Sequence, residues 1–247
     1  MKIVFLGTNN WFDSSSGNTI CTLIETRNAY LILDAGFGLH RAKKYVKKDK
    51  PIFLFLSHVH IDHICGLHGM SAFYPKQGLT IYCRQGDKKN LTKIIAPPFS
   101  SHLGSESKHV KIIEIKKNKK QQLFNFETAL LNHTVPTLGY RFEIENKIIS
   151  YCMDTGFSKQ SIQLSQQSDI LIHECSLAPK AKDGGWGHSS PEIAAKIAKV
   201  SKTKKLILTG FGPDYYVNKK TKIEAERYAK KIFKNTIAAF DKLVVKI

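Results

Sequence analysis

Leu56-Ser57-His58-Val59-His60-Ile61-Asp62-His63 follows directly on the apolar run Ile52–Leu56 and gathers three imidazoles and one carboxylate into six residues. A short run that is apolar without alternation is what a central strand buried on both faces requires. His58 and His60 are two apart, so in extended chain they project from the same side. A turn entering a helix straight after them carries Asp62 and His63 round beside the first pair. Imidazole nitrogens with a carboxylate suit borderline transition metals, Zn²⁺ first, with Mn²⁺ or Fe²⁺ as alternatives. One such histidine alone would be read as a hydrogen-bonded core residue. Four donors at the mouth of a single strand are read as a metal site.

Outward from this segment, short strand patterns alternate with helical ones. Lys2–Leu6, Thr19–Glu25 and Tyr30–Leu33 precede it as strands rich in Ile, Leu, Val and Thr. Leu79–Cys83, Val110–Ile115, Thr128–Asn132, Gly139–Ile144, Ile148–Cys152, Ile170–His173, Leu206–Thr209, Thr236–Ala239 and Leu243–Lys246 follow it. Ser190 before Pro191 reads as an N-cap with proline at the first helical position, and Ile193, Ile197 and Val200 recur at helical spacing. A second late helix is expected over Thr221–Phe233. Lysine-rich stretches at 43–50, 116–120 and 202–205 read as exposed connectors. No repeat or linker divides the sequence, so one α/β domain over residues 1–247 is expected.

Apolar residues make up 42% of the 247, which supports a sizeable core and excludes a disordered chain. No run approaches the roughly 20 apolar residues that cross a bilayer, and the opening Met1–Gly7 lacks both the length and the cleavage site of a signal peptide. The expected location is cytoplasmic, without a membrane partner. Cys21, Cys65, Cys83, Cys152 and Cys175 are scattered, odd in number and without a CxxC pair, so they read as reduced, mostly buried small side chains. The net charge of +18 favours anionic partners such as phosphoesters or nucleic acid. Only five of the basic residues are arginine, the side chain that reads phosphates and bases by paired hydrogen bonds. The charge is therefore weighed equally as substrate steering and as surface solvation.

Taken together, these stretches resemble the metallo-β-lactamase superfamily, and within it the phosphodiesterase branch containing ribonuclease Z and small cyclic-nucleotide phosphodiesterases. The resemblance rests on the HxHxDH segment and on motifs along most of the chain. They are Phe5-Leu6-Gly7-Thr8, Leu33-Asp34-Ala35-Gly36, Asn132-His133-Thr134-Val135-Pro136 running on to Gly139-Tyr140-Arg141, Met153-Asp154-Thr155-Gly156, His173-Glu174-Cys175 and Gly187-His188-Ser189. It implies a four-layer αββα sandwich. It further implies one metal held by His58, His60 and His133, a second held by Asp62 and His63, and Asp154 shared by both. A metal-bridging hydroxide would attack phosphorus, Asp62 counting with the catalytic residues. His188, backed by Glu174, would stabilise the transition state or protonate the leaving oxygen. His173 is not taken as a ligand.

Two departures bear on activity. Where the family pattern ends a strand in Leu-Thr-His, this chain reads Leu208-Thr209-Gly210, so the second metal site loses one histidine and is expected to be the weaker. Ribonuclease Z proteins also carry an inserted arm that grips tRNA, whereas only Phe142–Cys152 is available here, enough for a hairpin around Asn146-Lys147. The preferred reading is hydrolysis of a small anionic phosphodiester, a cyclic nucleotide being one candidate. A ribonuclease Z-like RNA or tRNA 3′ endonuclease without the arm is the first alternative. A catalytically weakened, metal-binding regulatory protein is the second. Thioester, lactone or β-lactam hydrolysis fits the metal segment but sits poorly with the charge. RNA is kept open as a partner, and a homodimer as an assembly.

Overall fold

The computed structural model of the chain describes residues 1–70, 77–100, 110–116, 119–120 and 123–247. Strands run over β1 (Lys2–Gly7), β2 (Cys21–Glu25), β3 (Tyr30–Leu33), β4 (Ile52–Phe55), β5 (Leu79–Arg84), β6 (Val110–Ile115) and β7 (Lys119–Lys120). They continue over β8 (Asn125–Leu131), β9 (Thr137–Ile144), β10 (Lys147–Cys152), β11 (Ile170–Cys175), β12 (Leu206–Phe211), β13 (Thr236–Ala238) and β14 (Val244–Lys246). The α-helices are α1 (Ile61–Ile64), α2 (Lys88–Ile94), α3 (Lys159–Leu164), α4 (Pro191–Val200) and α5 (Lys219–Lys230). Internal contacts divide the chain into two compact units. The first comprises Met1–Gly7, Asn18–Lys117 and Asp241–Ile247, and the second Thr8–Gly17 and Asn118–Phe240.

The first unit is built on a sheet of order β14-β1-β2-β3-β4-β5-β6. Its first strands pair antiparallel and β3 to β6 run parallel. The apolar run before the histidines becomes β4, in the interior of this sheet, with Ile52, Leu54 and Phe55 buried and Phe53 half-buried. Val4, Leu6, Leu23, Ile32, Leu54, Leu56 and Ile81 lie in one apolar cluster. β4 ends at Phe55, Ser57 turns the chain, and His60 stands extended as the residue before α1.

The second unit has the order β13-β12-β11-β10-β9-β8-β7, with β10 to β13 parallel and the remaining pairs antiparallel. β11 and β12 are buried at every residue, as central strands of a parallel sheet should be. Against them lies α4, burying Ala194, Ala195, Ile197 and Ala198. Its N-cap is Ser190, whose hydroxyl accepts from the Ile193 N–H, with Pro191 at the first turn, a cap worth about 1 kcal/mol. Asn218 and Thr221 form a reciprocal capping box, so α5 starts at Lys219, before the expected Thr221, and ends at Lys230 rather than Phe233. β9 and β10 meet through the two-residue turn Glu145-Asn146, both with positive φ (52° and 61°), the twist-matched form of a tight hairpin.

The expected strands are all present, most of them a residue or more longer or shorter than anticipated. Lys119–Lys120, read as part of a connector, instead pairs with Asn125-Phe126 as a short edge strand, while residues 117 and 118 lie outside the described residues. α2 and α3 were not anticipated. They are only 7 and 6 residues long, and α2 buries Leu91 alone, so neither leaves an apolar stripe to be read. Cys21, Cys83, Cys152 and Cys175 are buried as expected. No helix among the described residues is long and apolar enough to cross a membrane.

Candidate metal centre

In the first unit the donors are set by Asp34, a fully buried carboxylate held at positive φ (57°) just after β3. Asp34 Oδ1 accepts from the Ser57 N–H at 2.7 Å, and the Ser57 hydroxyl lies 2.9 Å from Oδ2. The His63 Nδ1 lies 2.9 Å from the same Oδ2. Because Ser57 gives its one proton to Asp34, its oxygen can only accept from His58 Nδ1, 3.0 Å away. Both rings thus carry the proton on Nδ1, which puts the ligating lone pair on Nε2. His63 Nε2 sits 3.5 Å from Asp62 Oδ2, two donor atoms side by side. The His58 ring is 4.4 Å from that of His60 and 4.2 Å from that of His63, centroid to centroid. His58, His60, Asp62 and His63 are therefore neighbours, and the donor set fits a divalent transition metal.

In the second unit four further residues come together. His133 follows β8, with Nδ1 3.3 Å from the Gly187 carbonyl and Nε2 3.7 Å from Asp154 Oδ2. Asp154 follows β10 at positive φ (42°) and is almost fully buried. Glu174, on β11 and wholly buried, accepts from the Thr155 N–H at 2.9 Å and, through Oε2, from the Ser176 N–H at 2.8 Å. Its Oε1 also accepts from His188 Nδ1 at 2.9 Å. Burial alone would lower the His188 pKa, but the charge and hydrogen bond of Glu174, with Asp154 and Asp183 behind, raise it from 6.5 to about 9. The second unit thus holds a positively charged imidazole near a carboxylate, and the rings of His133 and His188 stand 5.1 Å apart.

Gly187 makes this approach feasible. A Cβ there would fall 2.4 Å from the Asn132 carbonyl oxygen, and its φ is +75°. Asp183 holds the loop by accepting from the Trp186 and Gly187 N–H groups, at 3.1 and 2.9 Å. His173 is a core residue, fully buried, its Nδ1 2.8 Å from the Glu174 carbonyl oxygen.

Gly210 sits where the register of β12 against β11 skips a residue, at φ +60°. A side chain there would have room, its Cβ meeting Glu174 Cβ at 3.4 Å and Met153 Sδ at 3.5 Å, but the backbone is left-handed. The missing histidine is thus accompanied by a local bulge that glycine itself enables.

Three residues with a part in these clusters had no role assigned from sequence. Asp34 and Ser57 orient the first pair of rings. Asn10 reaches Asp154 Oδ2 at 3.4 Å and Ser176 Oγ at 3.5 Å through its amide. Asp34 and Ser57 sat inside quoted motifs, so their position was legible though their partners were not.

Comparison with known proteins matches residues 29–211, most of the chain, to a family model described as the β-lactamase superfamily domain. A ribonuclease Z from Synechocystis sp. is 28% identical over 314 aligned positions, covering all of this chain and 94% of the relative. One from Prochlorococcus marinus (strain MIT 9312) is 27% identical over 315, covering all of both. Alignments this long for a 247-residue chain mean that the relatives carry stretches without counterpart here. Among solved structures, the metallo-β-lactamase fold protein YhfI from Bacillus subtilis superposes with a TM-score of 0.82 at 22% identity, covering 99% of this chain and 98% of that one. Human tRNase Z, short form, gives 0.78 at 21%, covering 100% and 99%. A diphosphatase of the PhnP family gives 0.77 at 16%, covering 100% and 97%.

Proposed function

Because this chain belongs to the metallo-β-lactamase superfamily, whose fold it has, we propose that it is a zinc-dependent phosphodiesterase acting on a small anionic diester. In this reading, which follows the family resemblance, His58, His60 and His133 would hold one zinc, Asp62 and His63 would hold a second, and Asp154 would be shared by both. When bound, such cations lower the pKa of water to near neutrality and offset charge on phosphate oxygens. The protein's own part is to fix the rings and to move one proton. Asp34 and Ser57 hold His63 and His58 as Nδ1–H tautomers, so each presents Nε2. His188, hydrogen-bonded through Nδ1 to Glu174, would give up an Nε2 proton to the departing oxygen, Glu174 holding the Nδ1 proton throughout.

The observation that carries this reading is the Glu174–His188 pair beside Asp154 and His133. It offers an acid matched to an alkoxide leaving group, and the surplus of positive charge suits an anionic substrate. Support for a small substrate comes from the two-residue β9–β10 turn, which leaves no arm at that place for gripping a folded RNA. The ribonuclease Z names of the relatives favour a second reading, RNA 3′ endonucleolysis without the arm.

The test is metal analysis together with hydrolysis of bis(p-nitrophenyl) phosphate, cyclic nucleotides and precursor tRNA by the purified protein. Zinc-dependent turnover of the first two, without 3′ trimming of the tRNA, is expected. Accurate trimming would install the nuclease reading. Metal uptake without any hydrolysis would leave a binding protein of the same fold.

A further inference from the structure

The chain has two tryptophans, and both are spent on the surface of the second unit: Trp11 is 69% exposed and Trp186 67%. Burying an indole is among the larger apolar gains open to a protein, and neither tryptophan takes it. Their neighbours in sequence are residues of the second unit's cluster. Trp11 follows Asn10, whose amide reaches Asp154, and Trp186 lies two residues before His188. Phe157, 52% exposed, comes three residues after Asp154. Phe12, 42% exposed, places its ring 5.5 Å from that of Trp11.

The Trp11 loop is also built stiffly. Trp11 itself has φ of 64°, a left-handed conformation that a bulky residue adopts only when its surroundings impose it. Its N–H is tied to Asn10 Oδ1 at 2.9 Å, and the Phe12 N–H to the Asn10 carbonyl at 2.8 Å. Asn9 clasps the return of the loop through Ser14 Oγ and the Gly17 carbonyl, both at 2.9 Å. Lys222, wholly buried, holds the base from below through Thr8, Asn9 and Ser16. An exposed ring on a strained, over-tied loop is pre-organised, and pre-organised rings lose little entropy when a flat ligand stacks on them.

Resting on the phosphodiesterase reading above, we infer that Trp11 and Trp186 are specificity residues that stack the bases of a nucleoside phosphodiester whose phosphate is handled by the adjoining His133, Asp154 and His188. Every base has a flat face and stacking on an aromatic side chain is tolerant of sequence, so the substrate class is nucleotidic and the base identity is left loose. Five arginines among 38 basic residues agree with this, since base-edge reading would recruit more of them.

The experiment compares a diester with a base, thymidine 5′-(p-nitrophenyl phosphate), against one without, methyl p-nitrophenyl phosphate, on the metal-loaded full chain. The kcat/KM ratio of the first to the second should fall about tenfold in Trp11→Ala and further in Trp11→Ala with Trp186→Ala. Trp11→Phe should recover most of it. As an independent readout, AMP should quench the intrinsic fluorescence of the unaltered protein while ribose 5-phosphate does not. An unchanged ratio in the double variant, or equal quenching by both ligands, would overturn the inference. Should neither diester be cleaved, the phosphodiesterase reading falls, and the AMP titration still decides whether the indoles form a base-stacking surface.

Discussion

The ammonium of Lys222 lies 2.9 Å from Asn9 Oδ1, 3.0 Å from Thr8 Oγ1 and 3.1 Å from the Ser16 carbonyl, with none of the residue exposed to water. The ring of Phe211 completes the enclosure, its centroid 4.9 Å from Nζ. Three oxygens and a π face take the place of a hydration shell. Replacing this lysine with methionine keeps the bulk and leaves the oxygens without their donor. We expect Lys222→Met to lose about 2 kcal/mol or more in urea unfolding, and to loosen loop 8–17 in hydrogen exchange. Lys222→Arg should not rescue it, because a planar fork cannot fill a site shaped for a point donor. Wild-type stability in Lys222→Met would show that the enclosure contributes nothing.

Asp34 is expected to act on metal affinity without touching metal. In Asp34→Asn one of the two oxygens shared by Ser57 and His63 becomes an amide that cannot accept their protons. Zinc should bind some 10- to 100-fold more weakly, as for other groups that orient a ligand imidazole. Competition with a chromophoric chelator measures this. Equal affinity in the variant would mean that the rings hold their tautomers unaided.

Gly210→His is the substitution that sequence alone invites, as restoring a ligand. The left-handed backbone at Gly210 argues the other way. Any side chain there should cost about 1 kcal/mol, so Gly210→Ala and Gly210→His should be destabilised alike and zinc stoichiometry should stay as it was. A histidine variant that binds zinc more tightly with no loss of stability would refute this.

The Glu174–His188 pair predicts how stability varies with pH in the metal-free protein. The folded state raises the His188 pKa from 6.5 to about 9, so its charge stabilises the fold. That contribution is complete below pH 6.5 and is lost as pH rises through about 9. The melting-temperature gap between wild type and His188→Gln should therefore be widest in mild acid and close at alkaline pH. A gap independent of pH would mean that the ring contributes by packing alone.

How much of this was legible beforehand follows the physics of each element. β4 and the HxHxDH segment were plain because an unbroken apolar run and a two-residue spacing are local signals. The Ser190-Pro191 start of α4 was equally local. Asp34 with Ser57, Asn10 with Asp154 and Lys222 with Asn9 were not legible, since each pairs residues far apart in sequence through hydrogen bonds that leave no periodicity. The positive φ of Trp11 and Gly210 was hidden for another reason: conformation at one residue is decided by the loop or register around it.

The turn at Glu145-Asn146 has a consequence for how the scaffold diversifies. Its two residues are exposed, both flanking strands are paired before it, and the side chains near Asp154 belong to other segments. Extra residues spliced at such a tip cost little, about 0.6 kcal/mol for each doubling of loop length, and disturb no buried group. Reach and local geometry are therefore separable properties of this architecture: an appendage can be added or removed at the hairpin while the groups around Asp154 stay as they are.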